Sequence, residues 1–362
     1  MFDHKHYVPI LKGKAGEYGA LEELSTTAKA RLTPLVEIPP IPWDFESESP
    51  AKSPEDHLRN VAEKIGNAWG VDSPVFIDLL FIEAQQIPGH GHPLNFVFDA
   101  ARQRDVQAIP ITGLDRDQPY QSAIRDIINT DQRGAGIRLQ ASDFEEEADL
   151  DAALTDLLAF FHLPHDMVDL ILDFQSILPG QADAIRMAVR SVLASIPSIT
   201  DWRTLTVSAS AFPQNLSGFA AGTTTRVPRA EWTVWMTLAA RQRKLPRLPT
   251  FSDYAIQYPE PIEVDPRIMQ MSANLRYTAD RDWLILKGRG VRVQGFDQFR
   301  NLCSSLMQEP EYREPQFSWG DQYIDRCANQ LGGPGNATTW RKVGTNHHLE
   351  FVVRQIASVH GL

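Results

Sequence analysis

Residues 7–30 read YVPILKGKAGEYGALEELSTTAKA. A mostly apolar run ends on Lys12, a glycine turn carries Lys14, and a helical pattern opens near Glu17. This is one strand followed by one helix, and the chain repeats the unit almost to Tyr258. Candidate strands fall at 7–12, 32–38, 75–80, 108–112, 136–139, 168–174, 205–210 and 250–257. They are short and apolar on both faces, as strands are when buried between an interior and a shell of helices. Helical patterns fill the gaps at 17–30, 54–69, 93–104, 118–129, 150–161, 181–194 and 229–244. In the fifth of these, Leu150, Ala153, Leu154, Leu157 and Leu158 form one stripe at helical spacing. Alternation of this kind over roughly 250 residues predicts a (β/α)8 barrel of the TIM type. An open doubly wound sheet shares the element order. The lack of a G-x-G-x-x-G turn after the first strand speaks against its dinucleotide-binding form.

From about Glu260 the rhythm changes. Residues 275–277 and 283–286 flank TADRD as a β-hairpin. Helices are expected at 295–307 and 322–329, and residues 348–360 close the chain as an apolar-striped helix, read as the last helix of the barrel. The expected division is a barrel over 1–260 and a C-terminal hairpin-and-helix elaboration over 261–362 packed on it. Two long connections, 39–53 and 214–227, follow strands two and seven. Both belong to the face where barrels carry their sites.

Composition narrows the function classes. The 362 residues are 43% hydrophobic and 22% charged, ordinary for a soluble protein, and the net charge is −11. That charge argues against sequence-independent binding of nucleic acid, although a local basic groove is compatible with it. The two cysteines, Cys303 and Cys327, show no C-x-x-C spacing, so neither a zinc site nor a disulfide framework is expected. No basic-then-apolar leader opens the chain and no apolar run approaches the ~20 residues that span a bilayer. A cytoplasmic protein without a membrane partner is the expectation.

Polar residues at the strand ends carry the candidate chemistry. Lys12 and Lys14 end strand one, Glu37 strand two, Asp173 strand six and Ser210 strand seven; Asp78 and Arg138 lie within strands three and five. A barrel brings these ends to one mouth. A charge inside a run such as VFIDLL or LILDFQ is costly unless paired or used. Two readings follow. In one, Glu37, Asp78 and Asp173 act as general acids and bases or hold Mg²⁺, while Lys12, Lys14, Arg138 and Ser210 bind a phosphate-bearing ligand. In the other, the charges neutralise one another and simply fill the mouth. Lys12 also stands where one class of pyridoxal-phosphate enzyme keeps its Schiff-base lysine, a one-residue analogy without a glycine-rich phosphate cradle to support it.

The stretch 339–351, TWRKVGTNHHLEF, is the second dense patch. Thr345 or Asn346 is expected to cap the closing helix, placing His347 and His348 in its first turn. The positive helix end would keep His347 neutral and suited to act as a base, with Arg341 nearby as a ligand-binding cation. Adjacent histidines point to different faces and cannot both chelate one ion. No G-x-S-x-G elbow supports a serine nucleophile.

With these residues in view, the chain resembles the beta family proteins of bacteria and phages. The resemblance rests on PILKGKAGEYGAL, LTPLVEIPP, VPRAEWTVW, SWGDQYI and WRKVGTNHHLEFV, which together span nearly the whole chain. It implies a setting of phage defence or mobile elements, and it implies no reaction. The expected function is a barrel enzyme or ligand sensor for a phosphate-containing, possibly nucleotide, ligand. The alternative is a non-catalytic subunit that offers Trp43, Phe45, Trp319 or Tyr323 to a partner protein from the same gene neighbourhood.

Overall fold

A computed structural model describes residues 2–144, 149–261 and 271–361. Eight strands form one parallel sheet: β1 (Ile10–Lys12), β2 (Leu35–Glu37), β3 (Val75–Asp78), β4 (Ala108–Thr112), β5 (Ala135–Leu139), β6 (Val168–Ser176), β7 (Thr204–Ser210) and β9 (Thr250–Ser252). Each pairs with its predecessor, with no switch in strand order. The two edges then meet. Tyr7 bridges Phe251, Val8 N–H donates to the Phe251 carbonyl (3.1 Å), and Ile10 N–H donates to that of Asp253 (2.8 Å). The sheet is therefore nearly closed into a barrel, and an open doubly wound sheet is excluded.

Strand alternation explains the two-layered interior. Ile10, Leu35, Phe76, Ile109, Ile111 and Ile171 pack together inside the sheet. Their strand neighbours Leu11, Val36, Ile77, Ile137 and Leu172 pack outward against helices. Two residues on from the inner set, on the same face, stand Lys12, Glu37, Asp78 and Asp173. A charged layer thus sits directly above an apolar one. Arg138 joins it from two residues beyond Gly136, where a Cβ would meet Ile111 Cδ1 at 2.3 Å. A side chain there would displace the end of Ile111.

The helices follow the expected order, with two splits. Residues 17–30 break into Ala15–Glu22 and Thr26–Lys29, because the Ser25 side chain accepts from Ala28 N–H (3.1 Å) and restarts the helix. Residues 54–69 break into Pro54–Leu58 and Val61–Trp69. No helix among the described residues is long and apolar enough to cross a membrane.

The C-terminal elaboration is larger than a hairpin. Strands β10 (Ser272–Thr278) and β11 (Asp282–Gly290) form the expected pair, but β8 (Thr223–Pro228) joins β11 on its other side. The polar connection after β7 is therefore part strand, a correction to its reading as a loop. Its TTTRV pattern lacks an apolar face; pairing with β11 supplies what its sequence does not.

The closing helix also begins earlier than expected. It runs Ala337–Val359, capped by Asn336, whose side chain accepts from Thr339 N–H (3.0 Å). Leu349, Val352, Val353 and Ile356 belong to the shell core that contains Tyr7 and Trp232, whereas Trp340 and Val343 belong to the core of the elaboration. One helix serves both. Gly344 makes this possible: a Cβ there would lie 2.8 Å from the Arg276 carbonyl and 2.7 Å from Ile256 Cδ1. Gly344→Val is expected to lose about 1–3 kcal/mol through this overpacking, as read by urea unfolding. An unchanged unfolding midpoint would show that the helix shifts freely, contrary to the packing described.

Candidate functional site

The charged layer converges on one guanidinium. Arg138 Nε and Nη2 donate to Asp173 Oδ2 (2.9 and 2.8 Å), and Nη1 donates to Glu37 Oε2 (2.8 Å) and Asp78 Oδ2 (2.7 Å). Tyr254, two residues beyond β9, receives Arg138 Nη2 (2.6 Å) and donates its own hydroxyl to Asp173. Lys12 Nζ donates to Glu37 Oε1 and to the Pro259 carbonyl, and lies over the rings of Phe81 and Tyr254. Arg116, following β4, reaches within 3.7 Å of Asp78 Oδ1. Three cations thus meet three carboxylates.

Burial completes the picture. The side chains of Glu37, Asp78, Asp173 and Arg138 are at most 1% exposed. For Glu37, burial would raise the carboxyl, but Arg138 and Lys12 outweigh it and hold it below its usual range. Asp78 goes the other way: burial wins over Arg116 and Arg138, and its pKa rises. The structure therefore assembles the expected cluster of Lys12, Glu37, Asp78, Arg138 and Asp173, and spends its carboxylates on arginine and lysine. Their oxygens surround Arg138 instead of an ion-sized space. Among the described residues no group of three or more His, Cys, Asp or Glu is gathered to hold a metal ion, so the residues do not fit the Mg²⁺ arrangement.

Above this floor, at the C-terminal ends of the strands, opens a cleft of ≈ 410 Å³. Its walls include Lys12, Lys14, Phe81, Phe212, Arg276 and Arg341. Lys14 comes from the first β-α turn, Phe212 from the connection after β7, Arg276 from β10 and Arg341 from the closing helix, so the elaboration completes the barrel's mouth. Four cations, Lys12, Lys14, Arg276 and Arg341, line it against one carboxylate among the described residues, Glu260. Arg276 donates to Asn274 Oδ1 and the Ile256 carbonyl (both 2.9 Å) and stacks over Phe212. Arg341 stands 3.9 Å from Glu17, and its Nη1 is buried with no hydrogen-bond partner. Burial lowers the pKa of both guanidiniums, and Arg341 lowers that of Arg276 further. Burial lowers Lys14 as well; Glu17 opposes this, while Arg341 and Lys12 add to it. Glu17 is the nearby buried carboxylate, already receiving Gln257, with its second oxygen unpartnered.

The remaining expected site residues lie elsewhere. Ser210 is buried; its hydroxyl donates to the Gln257 carbonyl (3.2 Å) and accepts from Phe212 N–H (3.1 Å), tying strand ends together below the cleft. His347 corrects the reading of a first-turn base. It sits in mid-helix, fully buried, with Nδ1 2.8 Å from Asp321 and Nε2 2.9 Å from the Thr278 carbonyl, stacked on Tyr277. Asn346, which resembled a helix cap, instead receives Gly320 N–H from the helix Trp319–Ala328 and donates to the Ala20 carbonyl. Arg276 was not foreseen. Its signal was the alternation Leu275–Arg276–Tyr277, which aims Arg276 away from the elaboration's core. Tyr254 and Arg116 were missed too.

A second polar cluster lies under the closing helix. His348 Nε2 faces Asp253 Oδ2 (3.0 Å), its Nδ1 faces Thr278 Oγ1 (2.8 Å), and Tyr7 donates to Asp253. Arg229 Nε lies 3.5 Å from Glu231 in the same interior. Burial, with Asp253 adding and Arg229 opposing, pushes the Glu231 carboxyl up to about 7. Its folded-state value thus exceeds the unfolded one, so its stabilisation is complete below pH ~4.3 and is lost as pH rises through about 7. From pH 5 to 8, Glu231→Gln is expected to gain on wild type by on the order of 2 kcal/mol in urea unfolding. Parallel pH profiles for the two proteins would refute this.

A family model described as Beta protein matches residues 7–354, nearly the whole chain. No curated protein matches the sequence at a significant level. Among solved structures, a GH138 enzyme targeting pectin rhamnogalacturonan II aligns with 84% of this chain at 6% identity and a TM-score of 0.37. The match covers 41% of that enzyme's length, and at this distance the likeness bears on neither fold nor activity.

Proposed function

The chain belongs to the Beta protein family, and from that premise we propose that it is a (β/α)8 barrel of the TIM type serving as a cytoplasmic sensor of a phosphate-bearing ligand. The observation that carries this reading is the under-neutralised triad of Lys14, Arg276 and Arg341 around one cleft, in a protein of net charge −11. Arg341 keeps a buried Nη1 without a partner among the described residues, and guanidinium N–H groups are the donors that phosphate oxygens pair with. The helix Ala15–Glu22 starts at the same place with no side-chain cap, and the positive end of a helix favours an anion. Sensing is preferred to turnover because Glu37, Asp78 and Asp173, the carboxylates suited to acid–base work, are sealed against Arg138. A sensor also suits the phage-defence or mobile-element setting that the resemblance implies.

A thermal-shift series tests the proposal. Phosphate compounds at about a hundred times their dissociation constant should stabilise the fold by ~2.7 kcal/mol, with or without Mg²⁺. Arg341→Gln, which removes no strong hydrogen bond within the protein, should abolish the response while leaving the unliganded melting temperature nearly unchanged. A flat response to every phosphate compound, or one that survives Arg341→Gln with Lys14→Gln, would overturn it. The second reading, an interaction subunit using the barrel as a scaffold, draws on the neutralised interior and on Trp43, which is 41% exposed. Capture of a stoichiometric partner lost in Trp43→Ala but kept in Arg341→Gln would favour it.

A further inference from the structure

The mouth has a second lobe. A cleft of ≈ 450 Å³ lies beneath the short hairpin Trp43–Asp44 and Ser49–Pro50, and shares Lys14, Pro39, Pro40 and Pro261 with the electropositive cleft. Its walls are of a different kind. Tyr18, Pro39, Pro40, Pro42, Trp43 and Phe45 supply flat apolar faces, and Lys52 and Lys64 stand at the edge. No carboxylate lines it among the described residues. Tyr18 is 7% exposed, yet its hydroxyl has no hydrogen-bond partner among the described residues. A buried hydroxyl with no protein partner, beside an open cleft, is available to bond a polar atom that enters the cleft. Trp43 lines the same space with a large ring that is 41% exposed.

We propose that this lobe is a base-binding subsite, so that the ligand is a nucleoside phosphate lying across both clefts. The phosphate rests against Arg276, Arg341 and Lys14. The base lies between the Trp43 and proline faces, with the Tyr18 hydroxyl at its edge. Two features select this class over other anions. Every nucleobase has a π-face that stacks on an aromatic ring, and the junction at Lys14 and Pro39 sets ring and charge in adjoining spaces, as a sugar does within a nucleotide. The two volumes fall within the range of small-molecule pockets. A sugar phosphate without a base would leave the second lobe unfilled.

The inference rests on the anion-binding reading above, and the experiment separates the two. Calorimetric titration of the full chain would use ribose 5-phosphate and the four common nucleoside 5′-monophosphates, against wild type, Trp43→Ala, Tyr18→Phe and Arg341→Gln. At least one nucleotide should bind wild type about tenfold or more tightly than ribose 5-phosphate, the increment of a single stacked base. Trp43→Ala should bring that nucleotide down to the ribose 5-phosphate level and leave ribose 5-phosphate itself unaffected. Tyr18→Phe should weaken the nucleotide alone. Arg341→Gln should weaken both. Equal binding of ribose 5-phosphate and every nucleotide, with the Arg341 dependence intact, overturns the base subsite and leaves the anion site standing. Binding of neither compound overturns both.

Discussion

Arg138→Met is expected to destabilise the protein by about 3–5 kcal/mol at pH 7, the usual consequence of stripping one partner from a buried charge network. Arg138 is the common partner of Glu37, Asp78 and Asp173, at 2.7–2.9 Å from all three. Removing it leaves Lys12 on Glu37 and Arg116 near Asp78, and leaves Asp173 with the Tyr254 hydroxyl and its own local backbone contact. Buried carboxylates without a counter-charge rise in pKa. Asp78, already raised by burial, loses one of the two cations opposing it, so its folded-state value in the variant lies further above the unfolded one. The sign follows: such groups cost least below the unfolded value and most once pH has risen through the folded value. The deficit of Arg138→Met against wild type should accordingly shrink between pH 7 and pH 5. Urea unfolding at both pH values checks it. Adding Asp173→Leu should restore part of the loss by removing the carboxylate that is left without a cation. A variant within ~0.5 kcal/mol of wild type at pH 7 would mean that the guanidinium does not hold this interior together.

The same network shows what could be read from the sequence. A charge recurring two residues after an apolar position, as in Ile10–Lys12, Leu35–Glu37, Phe76–Asp78 and Ile171–Asp173, is a local signal, because strand alternation alone fixes which face a residue takes. The residues of the charged layer were legible for that reason. Which charge would meet which was not. That depends on Gly136 yielding room to Ile111 and on Arg138 reaching across the interior, both set by closure of the sheet. The cleft was only half legible. Lys14 sits in the opening β-α turn and Arg341 in a conspicuous motif, but Arg276 comes from a hairpin whose docking no local pattern encodes. The closing helix misled for a related reason. Thr345, Asn346, His347 and His348 look like a capped start in isolation, yet all are buried, with Asn346 receiving Gly320 N–H and donating to the Ala20 carbonyl. Tertiary partners overrode a local signature.

His348 gives the second large effect. His348→Leu is expected to cost about 3 kcal/mol or more at pH 7, since it strips a hydrogen-bond donor from a buried carboxylate and a partner from the buried Thr278 hydroxyl. Burial lowers the His348 pKa; Asp253 opposes this, and Arg229 and His347 add to the lowering. The neutral ring with its proton on Nε2 satisfies every neighbour: Nε2–H donates to Asp253, and Nδ1 accepts from the Thr278 hydroxyl. For Asp253, burial alone would raise the carboxyl, but His348, Arg229 and Tyr7 outweigh it and hold it low. Asp253 is thus an ionised acceptor beside a neutral donor. Because the folded-state value of His348 lies below the unfolded one of ~6.5, the unfolded chain binds the extra proton in that interval. Stability from this residue is present above pH ~6.5 and falls as the pH drops toward the folded value. His348→Gln keeps a donor for Asp253 and cannot titrate. It should lose only about 1–2 kcal/mol at pH 7 and show a shallower decline than wild type between pH 6.5 and 5. Amide hydrogen exchange in 345–357 locates the effect: acid should speed exchange there in wild type more than in the Gln variant. Equal acceleration in both would remove His348 as the group through which acid loosens the closing helix. Since that helix also carries Arg341, the same acidification should weaken the proposed phosphate binding in wild type more than in His348→Gln, which would link the buried cluster to the mouth through one helix.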